Sequence, residues 1–454
     1  MAVMALTRGP GATIEAKLPF IIGTVSLGTL VAWYDFYLYG VLAGVFAAQF
    51  FPGDAAQGLI YSLGIFWTGF LVRPIGAAVF GHLGDLVGRK LTLVLTLAAM
   101  GAASFIIGCL PGTAELGWLA PLLLVLFRVV QGLAMGGEYG VAATYVAELS
   151  PDGKRGLYTS WLQTTATLGI VLALLVILAC RYGFGDAPFG AWAWRVPFWL
   201  SALLVLLAAY LRLKLDETPL FTLLKEQGKA APNPALESVS QKKNQRLLLM
   251  VLFGAAAPEG VIWYTSQFYA LYYLSSVLGV PSGTVYGLMM IVLLLASPLF
   301  VVFGALSERF GRRNLMLAGF LLAAASYWPV FAVMSAVKTS PVLLGVLVFY
   351  LTALAAMVYG PLAALLVELF PGRVRCISVS LPYQIGNGVF GGLVPLAGPW
   401  LATVLGGPLY GLVYPIAIAL VGAAVGVAWL PERSEGVSIW KEVGGGPPRV
   451  PAQP

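Results

Sequence analysis

From Leu18 to Leu430 the chain is a succession of apolar runs, each about 20 residues or longer, separated by short stretches that hold most of its charge. A run of that length is what a helix needs to cross the ~30 Å hydrocarbon core of a bilayer, since each residue advances it by only about 1.5 Å. Twelve runs can be delimited, at roughly 18–46, 57–81, 91–110, 118–146, 156–180, 192–213, 247–277, 284–306, 314–337, 342–367, 376–404 and 408–430. Composition agrees: the chain is 59% hydrophobic and 10% charged, with a mean hydropathy of +0.89. Soluble domains carry about a quarter charged residues, and this chain has too few to coat a water-facing core. The expected fold class is an all-α membrane protein with twelve transmembrane helices, and a soluble enzyme is excluded.

The charges sort by loop. Arg8, Lys17, Arg89, Lys90, Lys154, Arg155, Arg309, Arg312, Arg313, Arg373, Arg375, Arg433, Lys441 and Arg449 fall on one side, together with the cations of 214–246. The other side has Arg181 and Lys338, with Asp54, Glu115 and Asp186. The positive-inside rule then makes both termini and the 214–246 stretch cytoplasmic, in a multi-pass protein of the cell (inner or plasma) membrane. This asymmetry accounts for the pI near 9.2, with no nucleic-acid partner needed. Cys109, Cys180 and Cys376 have no ligand spacing and read as packing residues, so no metal, cofactor or disulfide framework is expected. The first apolar run is too long for a cleaved signal and has no small-residue cleavage site near its end.

The stretch "KLDETPLFTLLKEQGKAAPNPALESVSQKKNQR" divides two halves that repeat. "GHLGDLVGRK" (81–90) follows the second run and "GALSERFGRR" (304–313) the eighth. "ELSPDGKRG" (148–156) follows the fourth and "ELFPGRVRC" (368–376) the tenth, with Glu, Pro and Arg recurring 220 residues on. The expected organisation is a six-helix bundle (1–213), a cytoplasmic linker (214–246), a second six-helix bundle (247–430) and a cytoplasmic tail (431–454). Duplicated helical units of this kind build transporters whose substrate site lies near the membrane midplane between the halves.

Residues 81–90 match the loop signature G-x-L-x-D-x-x-G-R-K at every fixed position, and on this the chain resembles the major facilitator superfamily. "WYDFYLYG" (33–40), "LVRPIG" (71–76), "RVVQGLAMGGEYG" (128–140) and "WRVPFWLS" (194–201) resemble its metabolite:proton symporter family, which includes carriers of citrate, 2-oxoglutarate, shikimate and proline/betaine. The resemblance implies the major facilitator fold, two pseudo-symmetric six-helix bundles, and rocker-type alternating access. It also implies a gating role for the loop. Gly81, Gly84 and Gly88 would allow close helix approach and a tight turn. Asp85 would sit at the positive N-terminus of the eleventh helix, with Arg89 and Lys90 on the cytoplasmic side. The whole would latch the outward-open state. His82, in the same loop, reads as a surface residue.

Ionisable groups inside a membrane are costly and should face a partner or a wet cavity. The deep cations are Arg73 and Arg128, and the deep acids are Asp35, Glu138 and Glu259; Arg195, nearer an end, is expected to snorkel outward and brace the sixth helix. Counting residues puts Asp35 and Arg128 at one level in the outer half, and Arg73 and Glu138 at one level in the inner half. By resemblance, the first and fourth helices line one cavity and pair an acid with an arginine. Asp35 and Arg128 are therefore the proton-coupling candidates: ionised, Asp35 would hold Arg128, and protonated it would release the arginine to an anionic substrate. Arg73 would hold a substrate carboxylate in bidentate fashion or else pair with Glu138. Pro258 should weaken the helix beside Glu259, making Glu259 a second protonation site or a substrate contact. Tyr264, Gln267, Gln163, Tyr383 and Asn387 complete the expected substrate-binding set. Thr164, Tyr359 and Gln384 are further polar positions on the same cavity helices.

The expected function is proton-coupled symport of a small organic acid by a monomer, with substrate, protons and lipid as its partners. An osmolyte carrier for proline or betaine is the nearest alternative, since Trp33, Trp263 and Tyr264 could hold a quaternary ammonium. A facilitated uniporter is a further one. A drug exporter is disfavoured because "TTATLGIVLALLV" lacks the proline of the exporters' fifth-span motif, and an ATP-driven pump because no GxxxxGK[ST] is present.

Overall fold

A computed structural model of the chain describes residues 10–432 and 439–444; Arg8, Arg433 and Arg449, placed on the basic side by sequence, lie outside them. The described residues are helical nearly throughout, the form in which a lone segment satisfies its own backbone in lipid. The spans are α1 (Lys17–Val41), α2 (Gln57–Leu86), α3 (Arg89–Cys109), α4 (Leu119–Leu149), α5 (Arg155–Phe184), α6 (Ala193–Leu213), α7 (Lys242–Val277), α8 (Gly283–Phe310), α9 (Arg312–Ala336) and α10 (Pro341–Leu369). They continue with α11, in pieces Arg375–Tyr383, Gln384–Gly391 and Val394–Val404, and α12 (Pro408–Trp429).

Among the described residues eleven helices are long and apolar enough to cross a membrane, one fewer than the runs counted. The difference is α11. Its first half carries Arg375, Ser378, Ser380, Tyr383, Gln384 and Asn387, and the helix breaks at Leu393, between Gly392 and Pro395. The first run also divides: α1 ends at Val41 and a short helix, Ala43–Phe50, continues it beyond Leu42.

Two helix pairs tie the halves together, α2 with α11 and α5 with α8. They are mates under the repeat, which maps α2 onto α8 and α5 onto α11. Glycine permits both approaches. A Cβ on Gly81 would stand 2.7 Å from Ile377 Cα, and one on Gly304 would stand 2.6 Å from the Gly156 carbonyl oxygen. The loops that follow α2 and α8 turn on glycines at positive φ, Gly88 (124°) and Gly311 (84°), a conformation open to glycine alone at little cost.

Large apolar side chains such as Ile60, Leu203, Leu206, Ile291, Leu295 and Val342 stand exposed around the outside. In water such a surface would drive association; in a bilayer it is the lipid-facing wall. Buried polar and charged groups collect inside, the reverse of the soluble pattern.

The linker is not a bare coil. It forms helices Pro219–Glu226 and Pro234–Ser240 that lie on the end of the molecule carrying both loop signatures, the signature face. Ser238 and Asn244 hydrogen-bond to Ser378 at 2.8 and 3.2 Å, and the Ala235 N–H donates to His82 Nδ1 at 3.2 Å. His82 is thus partly covered by the linker, where sequence placed it on the surface.

Candidate transport site and its gate

At the signature face, Asp85 ends α2 and accepts hydrogen bonds from the backbone N–H groups of Cys376 and Ile377, both at 3.0 Å. These are unpaired donors in the first turn of α11, where partial positive charge favours a carboxylate. Arg89 lies 3.5 Å from Asp85 and donates to the carbonyls of Gly84 (3.0 Å) and Gly372 (2.8 Å) and to Glu148 (3.2 Å). Glu148 also receives Arg375 at 3.0 Å, from the other half. The repeat reproduces the cluster. Glu308 accepts from the Gly156 N–H at 2.5 Å at the start of α5, and Arg312 donates to it at 2.8 Å. Glu368 receives Arg312 at 3.2 Å and Arg155 at 3.1 Å. Each of the two glutamates is therefore held by one arginine from its own half and one from the other.

The loop residues Gly81, Gly84, Asp85 and Gly88 stand as sequence placed them. Lys90 stays at the rim, with its backbone N–H donating to Glu217 at 3.1 Å, while Arg89 is wholly buried. Burial pushes the Glu217 carboxyl above its ordinary range, although the N–H groups of Thr218 and Lys90 oppose the shift. Thr218 donates to Glu148 at 2.5 Å, so the linker is part of the cluster. So is the tail: Ile439 and Trp440 pack on Leu220 and Leu224, and Glu442 accepts from Gly372 N–H (2.6 Å) and Arg375 (3.1 Å).

Asp85→Asn removes a charge that the α11 terminus and Arg89 both stabilise, a loss of about 1–2 kcal/mol. Opening of this face should become about 5- to 30-fold more frequent. Cys376, buried behind Asp85, is a built-in reporter: in a Cys109→Ser, Cys180→Ser background its thiol-labelling rate should rise by that factor. An unchanged rate would remove Asp85 from the gate.

Deeper in, the side chains separate two groups that counting had merged. Glu138 does not meet Arg73. It is locked against Arg212 of α6, with Thr29 (2.9 Å) and Thr96 (2.7 Å) donating to the same carboxylate. Arg212 also donates to the Leu93 carbonyl at 2.6 Å. The pair lies in the core of the first half and is 1% exposed or less. Both the proposed Arg73–Glu138 contact and a substrate-facing Glu138 are corrected by this. Sequence alone does not single out this arginine, which lies one residue from the end of its run, 192–213.

Asp35 and Arg128 share a level but do not bond. Arg128 donates to the carbonyls of Phe36 (3.2 Å) and Phe66 (3.4 Å) and to Gln131 Oε1 (3.0 Å), and its guanidinium lies 3.9 Å from the Phe36 ring centroid. Asp35 points elsewhere. Successive helical residues diverge by about 100°, and the Asp35 carboxylate is buried beside Ser104 of α3 and Ser201 of α6, neither closing a hydrogen bond.

Arg73 is fully buried, and among the described residues none of its three guanidinium nitrogens has a hydrogen-bond partner. Aromatic rings enclose it: Phe36 at 4.3 Å, Phe70 at 4.5 Å and Trp33 at 5.1 Å. The Tyr264 hydroxyl approaches from α7 without closing a hydrogen bond. Glu259, also wholly buried, has only Asn387 Nδ2, at 3.3 Å, as a hydrogen-bond partner among the described residues. The helix around it is irregular, as Pro258 implied: α7 widens to π-helical turns at Leu252–Ala256, Thr265–Tyr269 and Tyr273–Val277. Gln267 reaches across the halves to Thr167 (3.0 Å), Gln163 donates to Tyr139 (2.8 Å), and Tyr383 pairs with Tyr359 (2.8 Å) while stacking on Tyr139 at 3.7 Å. Thr164 only bonds back to its own helix, at the Trp161 carbonyl. Arg195 braces the end of α3 through the Leu110 carbonyl at 3.0 Å.

The amide oxygens of Gln163, Gln267, Gln384 and Asn387 stay unpaired in this centre, with the hydroxyls of Tyr37 and Tyr264. Buried polar atoms are rarely left so unless something else engages them. Toward the opposite face the centre is roofed by Trp33, Tyr37, Trp263 and Phe268, which stack between α1 and α7.

A helical membrane protein whose halves close on a polar centre through repeat-related charge clusters is a transporter of the major facilitator superfamily. The chain belongs to the sugar (and other) transporter family, whose profile matches residues 21–245 and 233–435. It is 37% identical over 377 residues to the alpha-ketoglutarate permease of Escherichia coli, covering 82% of this chain and 84% of that one. The proline/betaine transporter of Salmonella typhimurium is 32% identical, over 91% of this chain and 84% of its own length. The shikimate transporter of Escherichia coli is also 32% identical, over 87% and 91%. In fold, the proton:xylose symporter XylE bound to 6-bromo-6-deoxy-D-glucose superposes with a TM-score of 0.70 over 94% of this chain and 99% of that one, at 16% identity. These relatives are membrane transporters, and the resemblance to carriers of 2-oxoglutarate, shikimate and proline/betaine drawn from its motifs holds.

Proposed function

We propose that the protein is a proton-coupled symporter that takes up a small organic acid across the cell membrane, working as a monomer with both termini cytoplasmic. Residues 1–213 and 247–430 would be the two rocking bundles, 214–246 the linker between them and 431–454 the tail. The observation that carries this reading is Arg73, a buried guanidinium with aromatic neighbours and no protein hydrogen-bond partner, set among unpaired polar atoms from both halves. Its planar fork suits a carboxylate, to which the unpaired Tyr264 hydroxyl would also donate, while the unpaired amide oxygens of Gln267 and Asn387 would accept from a donor elsewhere on the substrate. The alpha-ketoglutarate and shikimate carriers among its relatives are consistent with an acid substrate. A bound anion neutralises Arg73, and the aromatic roof and the signature-face clusters then exchange closure between the two faces.

Asp35 is the candidate proton carrier, because it is a buried carboxylate with no arginine of its own. A membrane potential of 100 mV supplies about 2.3 kcal/mol per charge moved, enough to concentrate a substrate tens-fold. Asp35→Asn should abolish gradient-driven accumulation in proteoliposomes yet retain counterflow exchange, which moves no net proton. Loss of both would assign Asp35 to structure alone, and retention of both would remove it from coupling.

Glu259 favours a second reading. It places a second buried carboxyl in the centre, on the other half, near the tyrosines Tyr139, Tyr359 and Tyr383. A zwitterion such as proline or betaine would place its carboxylate at Arg73 and its cationic nitrogen toward Glu259. Glu259→Gln separates the readings, since uptake of an acid survives the change and uptake of a zwitterion does not.

A further inference from the structure

The absence of a direct Asp35–Arg128 bond leaves open how the charge on one reaches the other. Two hydrogen bonds lead from Arg128 toward Asp35 and end on Ser104, whose hydroxyl lies beside the Asp35 carboxylate without bonding to it. Arg128 Nη1 donates to Gln131 Oε1 at 3.0 Å, and Gln131 Nε2 donates to Ser104 Oγ at 2.7 Å. Its direction is fixed by chemistry. Arginine has no acceptor, so the amide must turn its oxygen to Arg128 and its N–H to Ser104. Ser104 Oγ has then accepted, and its own proton is free for the neighbouring carboxylate, Asp35. All four residues are wholly buried.

We infer that Ser104 and Gln131 are positioning residues that transmit the protonation of Asp35 to Arg128. The inference rests on the symport reading above. With Asp35 ionised, the Ser104 proton turns toward it, and the aligned donors strengthen one another along the thread. With Asp35 protonated, its carboxyl becomes a neutral, weaker acceptor and gains a proton of its own to donate, so the charge-assisted pull on the Ser104 proton is lost and the hold on Arg128 through Gln131 slackens. Arg128 shares the Phe36 ring with Arg73, at 3.9 and 4.3 Å, so a shift of the first is felt at the second. Phe36 also follows Asp35 in α1 and its carbonyl accepts from Arg128, which keeps the two ends of the thread in register.

The surroundings of Asp35 offer no better route. On its own helix Tyr34 donates to the Pro197 carbonyl at 2.8 Å, α5 brings Cys180 near Tyr34, and α3 and α6 present the hydroxyls of Ser104 and Ser201. The charged groups beyond them are Arg128 on α4, reached through the thread, and Arg73 on α2 past it.

Ser104→Ala and Gln131→Leu each cut the thread while Asp35, Arg128 and Arg73 keep their own side chains; Gln131→Leu also removes one hydrogen-bond acceptor of Arg128. In proteoliposomes, with labelled 2-oxoglutarate, shikimate, citrate and glycine betaine as probes, wild type and variants are compared in counterflow exchange, in pH-gradient-driven accumulation and in the pH profile of exchange. Accumulation should fall at least tenfold in both variants while exchange persists, and the pH profile of exchange should flatten. Ser104→Thr, which keeps a hydroxyl, should restore both. Wild-type accumulation and an unshifted profile in Ser104→Ala and Gln131→Leu would overturn the inference. So would equal loss of exchange and accumulation unrelieved by Ser104→Thr, which marks a packing role. A wild type indifferent to the gradient would instead overturn the symport reading on which the thread depends.

Discussion

Arg73→Met should abolish binding of the carried acid and at the same time raise the melting temperature of the purified protein. The two signs together distinguish a functional charge from a structural one. A charge-assisted hydrogen bond is worth about 1.5–3 kcal/mol, so losing a bidentate pair should weaken carboxylate binding about 100-fold or more. Stability should move the other way. Arg73 is fully buried and donates no hydrogen bond to the protein, so the fold bears its desolvation with only the rings of Phe36, Phe70 and Trp33 to offset it. Methionine fills much of that volume, retains the ring contacts and carries no charge. Ligand-induced thermal shift and scanning fluorimetry read both quantities on one sample. A lower melting temperature with binding intact would show that Arg73 holds the fold and not the substrate.

Arg212→Met should do the opposite. Its partner Glu138 would remain buried with Thr29 and Thr96 as its only donors. Breaking a buried pair by removing one member costs about 3–5 kcal/mol, because the surviving charge is stranded. Leu93 and Val25 would also lose the guanidinium that their carbonyls share. The double variant Arg212→Met, Glu138→Met removes both charges and should recover most of the loss, since apolar replacement of a whole buried pair is often neutral. The comparison is made by thermal unfolding of the two single variants and the double. A double variant less stable than Arg212→Met would show that the pair contributes more than its own neutralisation.

The contrast between these arginines also marks what the sequence could tell. Depth is a count along a helix, and it came out well: Arg128 does donate to the carbonyl next to Asp35. Azimuth depends on which helices pack around the residue, and one chain read alone does not contain that. Hence Asp35 turned out to face Ser104 and Ser201, and Glu138 to face α6. Asp85 was legible because its partner is a helix terminus, a backbone feature that needs no particular side chain. The 220-residue repeat announced Glu148, Glu368, Arg155 and Arg375. It did not announce that Arg375 would serve Glu148 and Arg155 would serve Glu368, an exchange across the halves that appears only when the repeats meet. Twelve runs were countable, but the polarity and glycines that make α11 too irregular to register as a plain span are the features that place Tyr383, Gln384 and Asn387 in the centre. The tail gave little sign of its docking beyond the pair "IW" at 439–440, which packs against the linker.

Uptake by the wild-type protein in proteoliposomes, with and without an imposed pH gradient, bears on all of this at once. Labelled 2-oxoglutarate, shikimate, citrate, proline and glycine betaine form the panel. A proton symporter of an organic acid accumulates one of the carboxylates tens-fold above equilibrium when the lumen is alkaline, and a protonophore returns the level to equilibrium. Accumulation that is the same after the gradient has been collapsed, or uptake of the betaine and of no carboxylate, would contradict the account.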